Sequence, residues 1–309
     1  MQIKKPKFWD LKHLSLYSYL LWPLSKLFEL TSSLKIKNKK KFLNIKTICV
    51  GNIYIGGTGK TSLAIKIAKL LKNKNIKSCF IKKNYINQID EIKLLKKYGK
   101  VFTSTKRIDA LKKAIKEKYE IAIFDDGLQD NSLNYDFKIL CFNNINWIGN
   151  GQVIPAGPLR ENLNRIKNYE HIFLNGNLES VNNIKKIINK INPKTTIYNG
   201  IYKPLNIKDF KTSEKYLVFS GIGNHQTFVS MLKKYKINII QNIEFPDHYD
   251  YTKKDLEKIK SKSKKLNCKI ITTEKDFLRI KNKNLKKIKF IKSELYIENE
   301  KKLINAILN

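Results

Sequence analysis

Gly51-Asn52-Ile53-Tyr54-Ile55-Gly56-Gly57-Thr58-Gly59-Lys60-Thr61 follows an apolar run, 45–50, and precedes a segment, 62–71, whose Ala64, Ile67, Ala68 and Leu71 share one helical face. A strand, a glycine-rich turn and a helix opening on Gly-Lys-Thr are the parts of a phosphate cradle. Glycines let backbone N–H groups approach phosphate oxygens, and the helix N-terminus adds partial positive charge. Lys60 would neutralise the outer phosphates, and the Thr61 hydroxyl can ligate magnesium. The strict G-x-x-x-x-G-K-T spacing asks for glycine where Tyr54 stands; Gly51, Gly56 and Gly57 supply turn freedom instead. A nucleotide triphosphate site explains the stretch better than an ordinary glycine-rich turn.

Downstream, 77–81 reads as a strand, 90–98 as a helix, 101–103 as a strand and 107–118 as a helix with Ile108, Leu111 and Ile115 on one face. Apolar residues 119–124 then end abruptly in Asp125-Asp126-Gly127. Strands alternating with helices imply a mostly parallel sheet covered on both faces. Residues 137–142 form another strand, Gly149-Asn150-Gly151 reads as a hairpin turn, and 155–161 is a rigid Pro/Gly loop. A short βα unit covers 171–192. A second α/β set starts near Tyr216: strand 217–220 into Gly221-Ile222-Gly223, a helix to about Tyr235, strand 238–245 into Pro246-Asp247-His248-Tyr249, helix 253–266, and strand 269–273 into Glu274-Lys275-Asp276.

The 309 residues suffice for two cores, and a 42% hydrophobic content fits a globular chain. The formal charge of +36 comes from 62 basic against 26 acidic residues. Only Arg107, Arg160, Arg165 and Arg279 are arginines, and the abundance of Lys, Asn and Ile is what AT-rich codons produce, so most lysines are expected on solvated surface. So positive a surface still attracts nucleic acid, anionic lipid or phosphorylated substrate. Cys49, Cys79, Cys141 and Cys268 form no C-x-x-C pair, which predicts buried free thiols and a reducing compartment. The four histidines show no metal-ligand spacing, and no cleavable signal peptide is evident.

Near the start, Leu14, Tyr17, Leu20, Leu21, Leu24, Leu27 and Phe28 recur at helical spacing, with Trp9 and Trp22 nearby. Pro23, Lys26 and Glu29 argue against a membrane span. Flanking Lys4, Lys5, Lys7 and Lys12, then Lys35, Lys37, Lys39, Lys40 and Lys41, suit a helix lying on an anionic membrane surface. Packing on the protein's own core is the other reading, and the sequence leaves both open.

Open parallel sheets bind ligands beyond the carboxyl ends of their strands. Asp125-Asp126 follows a strand and sits where a nucleotide-hydrolysing fold places its magnesium carboxylate. Gly221-Ile222-Gly223 is either an anion site or a sterically tight βα turn. His248 stands beside Asp247, though adjacency in sequence does not orient a carboxylate onto an imidazole. Residues 272–276 could be a helix start capped by Thr273.

The stretch 51–61, with Asp125–Gln129, Pro155–Glu161, Phe219–Asn224, Phe245–His248 and Thr272–Asp276 in this order, resembles the tetraacyldisaccharide 4′-kinase family of lipid A biosynthesis, from Trp9 to about Asp276. The resemblance implies two mostly parallel-sheet α/β/α domains facing each other across a cleft, the first of P-loop NTPase type, behind an N-terminal amphipathic helix. The expected regions are 1–35, membrane-associating; 36–205, the P-loop kinase domain with a hairpin linker near 143–155; and 206–309, a smaller α/β domain. The implied reaction moves the ATP γ-phosphate to the 4′-hydroxyl of a tetraacylated glucosamine disaccharide 1-phosphate, at the cytoplasmic leaflet of the inner membrane, with the chain attached peripherally. Tyr54, Ile55, Gly56, Gly57, Thr58, Gly59, Lys60 and Thr61 look like the ATP loop, and Lys60 also carries a catalytic role. Thr61, Asp126 and Glu161 look like magnesium ligands. His248 matches the family's Asp-His motif, whose histidine supports an aspartate base within Gly-Asp-Glu. Here the nearest match is Ile89-Asp90-Glu91, which makes Asp90 the candidate base. The family's Ser-Arg-Gly-Tyr stands as Lys82-Lys83-Asn84-Tyr85, the segment before Asp90 is short and lacks its glycine, and Asp-Asp-Gly-x-Gln-His ends in Asp130. Neither a specific nucleic acid nor an obligate protein partner is implied. The competing readings are another P-loop phosphotransferase or partitioning-type ATPase, and a nucleic-acid-binding module, which four scattered arginines disfavour.

Overall fold

The computed structural model describes residues 5–33, 40–84, 89–130, 132–176, 181–280 and 287–309. The chain divides into two compact units. The first comprises 1–175, 179–200 and 297–309, and the second 176–178 and 201–296.

The larger sheet contains β1 (Lys46–Gly51), β2 (Ser78–Lys83), β3 (Val101–Ser104), β4 (Ile121–Asp125), β5 (Phe137–Asn143), β6 (His171–Asn175), β7 (Thr196–Pro204) and β12 (Ser293–Ile297). Its order is β12-β7-β6-β5-β1-β4-β2-β3, and the pairings from β3 through β7 are parallel. Helices α2 (Lys60–Lys72), α3 (Ile89–Lys96), α4 (Arg107–Lys116), α5 (Asn182–Ile191) and α9 (Glu300–Leu308) belong to the first unit. Every residue of β4, and every residue of β1 after Lys46, is buried. A strand covered on both faces reads as a continuous apolar run, which is why Ile-Cys-Val and Ile-Ala-Ile-Phe show no alternation. Cys49 shares a cluster with Ala110, Leu111 and Ala114 of α4, and α2 packs on β1, β2 and β4.

The second unit holds the sheet β11-β10-β8-β9, made of β8 (Lys215–Ser220), β9 (Asn238–Glu244), β10 (Lys269–Thr273) and β11 (Ile288–Ile291), with helices α6 (His225–Lys234), α7 (Lys253–Lys265) and α8 (Glu274–Arg279). All its pairings are parallel. Tyr216, Val218, Phe228, Leu232 and Ile271 form one cluster; Leu217, Phe219, Leu256, Ile259 and Ile270 form another.

Three readings need revision. The last helix, α9, belongs to the first unit and not to a C-terminal domain running to 309. It packs on α2, where Lys66 Nζ lies 2.7 Å from Glu300 Oε1. Residues 144–151 are consecutive turns without flanking hairpin strands, because Asn143 Oδ1 accepts from Ile145 N and the backbone N–H of Asn150 donates to Trp9 O. The four cysteines are free as expected, but Cys268 is only half-buried.

Helix α1 (Leu16–Ser33) settles how the amphipathic start is used. Among the described side chains, Ser18 and Ser25 are its buried ones, and Ser25 is 2% exposed. Ser25 Oγ donates to Val153 O at 2.8 Å and accepts from Ala156 N at 2.9 Å; Asn150 Nδ2 donates to Ser18 Oγ at 3.0 Å. Tyr17, Leu20, Leu24, Leu27 and Phe28 face outward, Leu20 being 68% exposed. The helix therefore packs on the protein through a narrow polar stripe and leaves its apolar side uncovered. No described helix is long and apolar enough to cross a membrane. Lys35, Lys37 and Lys39 lie outside the described residues.

Candidate active site

Strand β1 delivers the chain to the loop, and its register decides what the loop meets. Val50 pairs with Asp125 of β4, and the backbone N–H of Asp126 donates to Val50 O at 2.8 Å. The phosphate loop and the acidic pair thus leave neighbouring strands at one edge.

Asn52, fully buried, cinches the loop: its Nδ2 donates to Tyr54 O at 2.6 Å and to Thr58 Oγ1 at 3.0 Å. Gly59 turns the chain into α2 with φ +82°, a left-handed conformation that glycine adopts freely. Unlike α6, α7 and α8, α2 has no side-chain cap, and unlike α7 and α8 it has no acidic residue in its first turn. Uncapped N–H groups at a 13-residue helix start suit an anion. Tyr54, the residue that departs from the strict pattern, is turned into the protein. Its hydroxyl donates to Asp10 Oδ1 at 2.9 Å and touches Lys5, and burial, followed by Asp10, pushes its ionisation upward. The 155–161 segment backs the loop, with Ile55 N donating to Pro158 O at 2.8 Å and Arg160 N to Ile53 O at 2.6 Å.

The two adjacent aspartates have different partners. Asp125 is 1% exposed; its Oδ2 accepts from Thr61 Oγ1 at 3.0 Å and from Lys82 Nζ at 2.6 Å. Asp126, at φ +64°, meets Arg160 Nη1 at 3.1 Å and Lys60 Nζ at 3.8 Å. Burial works against its ionisation, but Lys60 and Arg160 outweigh burial and hold the carboxyl below its ordinary range. Gln129 Nε2 donates to Asn52 O at 2.7 Å and to Glu161 Oε1 at 3.2 Å, and Arg160 Nη1 also donates to Gln129 Oε1 at 3.2 Å. Glu161 is thereby linked to the loop through Gln129. Arg107 supports the acidic turn from behind, donating to Asp130 Oδ2 at 3.2 Å and to Asp126 O.

One donor here suits a magnesium ion, although among the described residues no three His, Cys, Asp or Glu side chains gather as a metal site. Asp125 Oδ1 is buried without a hydrogen-bond partner among the described residues, and its other oxygen is already bonded to the Thr61 hydroxyl. A buried carboxylate oxygen left open costs free energy unless a cation or water meets it. Asp125 Oδ1 is therefore the open carboxylate oxygen nearest the Thr61 hydroxyl in the hydrogen-bond pattern, beside the expected Thr61, Asp126 and Glu161.

Two residues without an expected role complete the edge. Lys82 lies between Asp125 and Glu91, and Asn175 Nδ2 donates to Thr58 O at 3.3 Å. The signal for Lys82 was a lysine closing the otherwise apolar Cys79-Phe80-Ile81. Asp90 lies in the first turn of α3, its side chain outside the described residues, as is Tyr85.

In the second unit the polar motifs converge. Asp276, fully buried, accepts from Gly221 N at 3.1 Å, Tyr251 OH at 3.1 Å and Thr273 Oγ1 at 2.6 Å. Thr273 caps α8 as expected. A Cβ at Gly221 would lie 3.0 Å from Pro246 O and 3.1 Å from Tyr249 Cβ, which gives the glycine a steric reason. Arg279 Nη1 donates to Gly221 O at 2.7 Å, and its Nη2 lies 3.3 Å from His248 Nδ1. A guanidinium can only donate, so Nδ1 accepts and the imidazole proton sits on Nε2. Asp247 Oδ2 is 3.8 Å from that Nε2, beyond hydrogen-bond range. Arg279, not Asp247, orients the ring.

The family described as LpxK, tetraacyldisaccharide-1-P 4'-kinase, matches residues 17–309. The chain belongs to this family. A tetraacyldisaccharide 4'-kinase of Pelagibacter ubique is 58% identical over 310 residues, covering 100% of this chain and 98% of that protein. One of Rickettsia typhi is 36% identical, covering 95% and 94%. The crystal structure of LpxK from Aquifex aeolicus in complex with ATP superposes with a TM-score of 0.66 over 95% of this chain and 99% of that one, at 24% identity. That likeness shows that the two chains share one α/β fold.

Proposed function

We propose that this chain transfers the γ-phosphate of ATP to the 4′-hydroxyl of a tetraacylated glucosamine disaccharide 1-phosphate; its relatives carry the name tetraacyldisaccharide 4'-kinase. The observation that carries the reading is the uncapped Gly59–Lys60–Thr61 helix start beside Asp125. Phosphoryl transfer relies on positioning and charge stabilisation, and the proposed roles follow that division. The 54–61 loop holds the triphosphate. Lys60, now opposite Asp126, exchanges that partner for phosphate oxygens. Thr61, Asp125, Asp126 and Glu161 would hold magnesium, which when bound neutralises charge on the phosphates. Asp90 takes the proton of the attacking hydroxyl, supported by His248.

The uncovered apolar side of α1 supports peripheral attachment to the cytoplasmic leaflet of the inner membrane, where an acylated acceptor resides. Lysine-rich flanks add attraction to anionic lipid. Residues 1–35 therefore serve both as a membrane contact and, through Ser18 and Ser25, as a packed part of the kinase unit.

A radiolabelled ATP assay with a tetraacyldisaccharide 1-phosphate acceptor in detergent micelles tests the reading. Wild-type protein transfers label to the lipid, and folded Lys60→Ala loses several orders of magnitude of turnover. Label transfer by Lys60→Ala at the wild-type rate would remove the phosphate-cradle assignment.

A further inference from the structure

Lys82 is the last buried residue of β2, with only 2% of its surface exposed. Its ammonium lies 2.6 Å from Asp125 Oδ2 and 2.5 Å from Glu91 Oε2. A lysine is rarely buried this deeply without paired carboxylates, since removing the ammonium from water is otherwise prohibitive. The two carboxylates come from different elements: Asp125 ends the central strand β4 beside Thr61, and Glu91 lies in the first turn of α3.

Among the described residues, the first turn of α3 buries no side chain of its own. The helix is eight residues long, and Leu95, in its last turn, is its one buried side chain among the described residues. Helices this short are marginal in isolation and take their order from tertiary contacts. Asp90 immediately precedes Glu91, so whatever fixes Glu91 fixes the backbone that presents Asp90.

We propose that Lys82 is a positioning residue whose ammonium, held between Asp125 and Glu91, docks the first turn of α3 and with it Asp90 at the phosphate-loop edge of the sheet. The catalytic half of this inference rests on the reading of Asp90 as the base; the docking half does not. Lys82 stands where the family pattern quoted above has serine, so the tether is built from this chain's own side chains.

Lys82→Met keeps the stem and removes the charge, and Glu91→Gln breaks only the α3 leg. Amide hydrogen exchange on full-length protein reads the docking. In both variants the α3 amides should exchange roughly tenfold or more faster, with β1 and α2 unchanged. In Glu91→Gln, which leaves Lys82 on Asp125, turnover should fall about tenfold or more while KM for ATP stays within about threefold. Unchanged α3 exchange overturns the docking, and looser α3 with undiminished turnover overturns the positioning role. If Lys82→Met does not fold, Glu91→Gln decides by the same two readouts. Full activity in Asp90→Asn would sink the base assignment instead, leaving the exchange result to judge the tether.

Discussion

Ser25→Ala should loosen α1 from the segment behind the phosphate loop without unfolding the protein. The hydroxyl makes two buried hydrogen bonds, to Val153 O at 2.8 Å and from Ala156 N at 2.9 Å. Each group left buried and unpaired costs about 1–3 kcal/mol. Water admitted at the helix edge recovers part of this, so the net cost is about 2 kcal/mol, a roughly 30-fold rise in the population of the detached helix. The loss is local, because the apolar side of α1 makes no core for the rest of the protein to lose. Hydrogen exchange reads it directly at Ala156, whose N–H is one of the two broken bonds. That amide and those of α1 should exchange about 30-fold faster, while β1 and β4 amides keep their protection. An unchanged Ala156 rate would refute the claim that a serine stripe is what holds this helix.

Leu20, Leu24 and Leu27 replaced together by serine should reduce flotation with anionic vesicles at high salt, where charge attraction is screened, and leave KM for ATP unchanged; equal flotation would exclude the exposed face as the membrane contact. Asp90→Ala and His248→Ala should each cost about 10²–10⁴-fold in turnover, and the double variant far less than their product if the two act on one proton; multiplicative losses would separate them. Burial opposes ionisation of Asp130, but Ser132 and Arg107 outweigh it and hold the carboxyl below its ordinary range. Its stabilising contribution is thus complete above about pH 4 and lost as pH falls through the lower folded-state value. Asp130→Asn should therefore melt lower than wild type at pH 7, with the gap narrowing in acid; a pH-independent gap would contradict this.

The strand, loop and helix around 51–61 were legible because their signals are local: an apolar run, glycines at a turn, and a helical face. The same holds for Thr273, whose capping bond spans three residues. Lys82 was not legible as a site residue, since its meaning depends on two carboxylates 9 and 43 positions away. Ser18 and Ser25 were hidden for a different reason. Periodicity identified the apolar side of α1 correctly, but which side faces the protein is set by the 150–156 segment. The Gly149-Asn150-Gly151 turn was misread because its composition suits a hairpin, while the backbone of Asn150 is claimed by Trp9. Strands β7, β11 and β12 carried too little pattern to be recognised.

The neighbouring carboxylates at the end of β4 tolerate change very differently. Asp125 is in extended strand backbone, and its demand is chemical: two oxygens, one for Thr61 and Lys82, one left open. At this position only a carboxylate of the same reach serves, and asparagine would keep the shape while surrendering the charge. Asp126, at φ +64°, faces a conformational demand as well, which asparagine and glycine meet and β-branched residues do not. Asparagine or glycine at 126 would keep the backbone but give up the carboxylate that meets Arg160 and Lys60. At 125 the backbone would accept many residues, and only the chemistry objects. Two identical letters, side by side, are held in place by unrelated constraints.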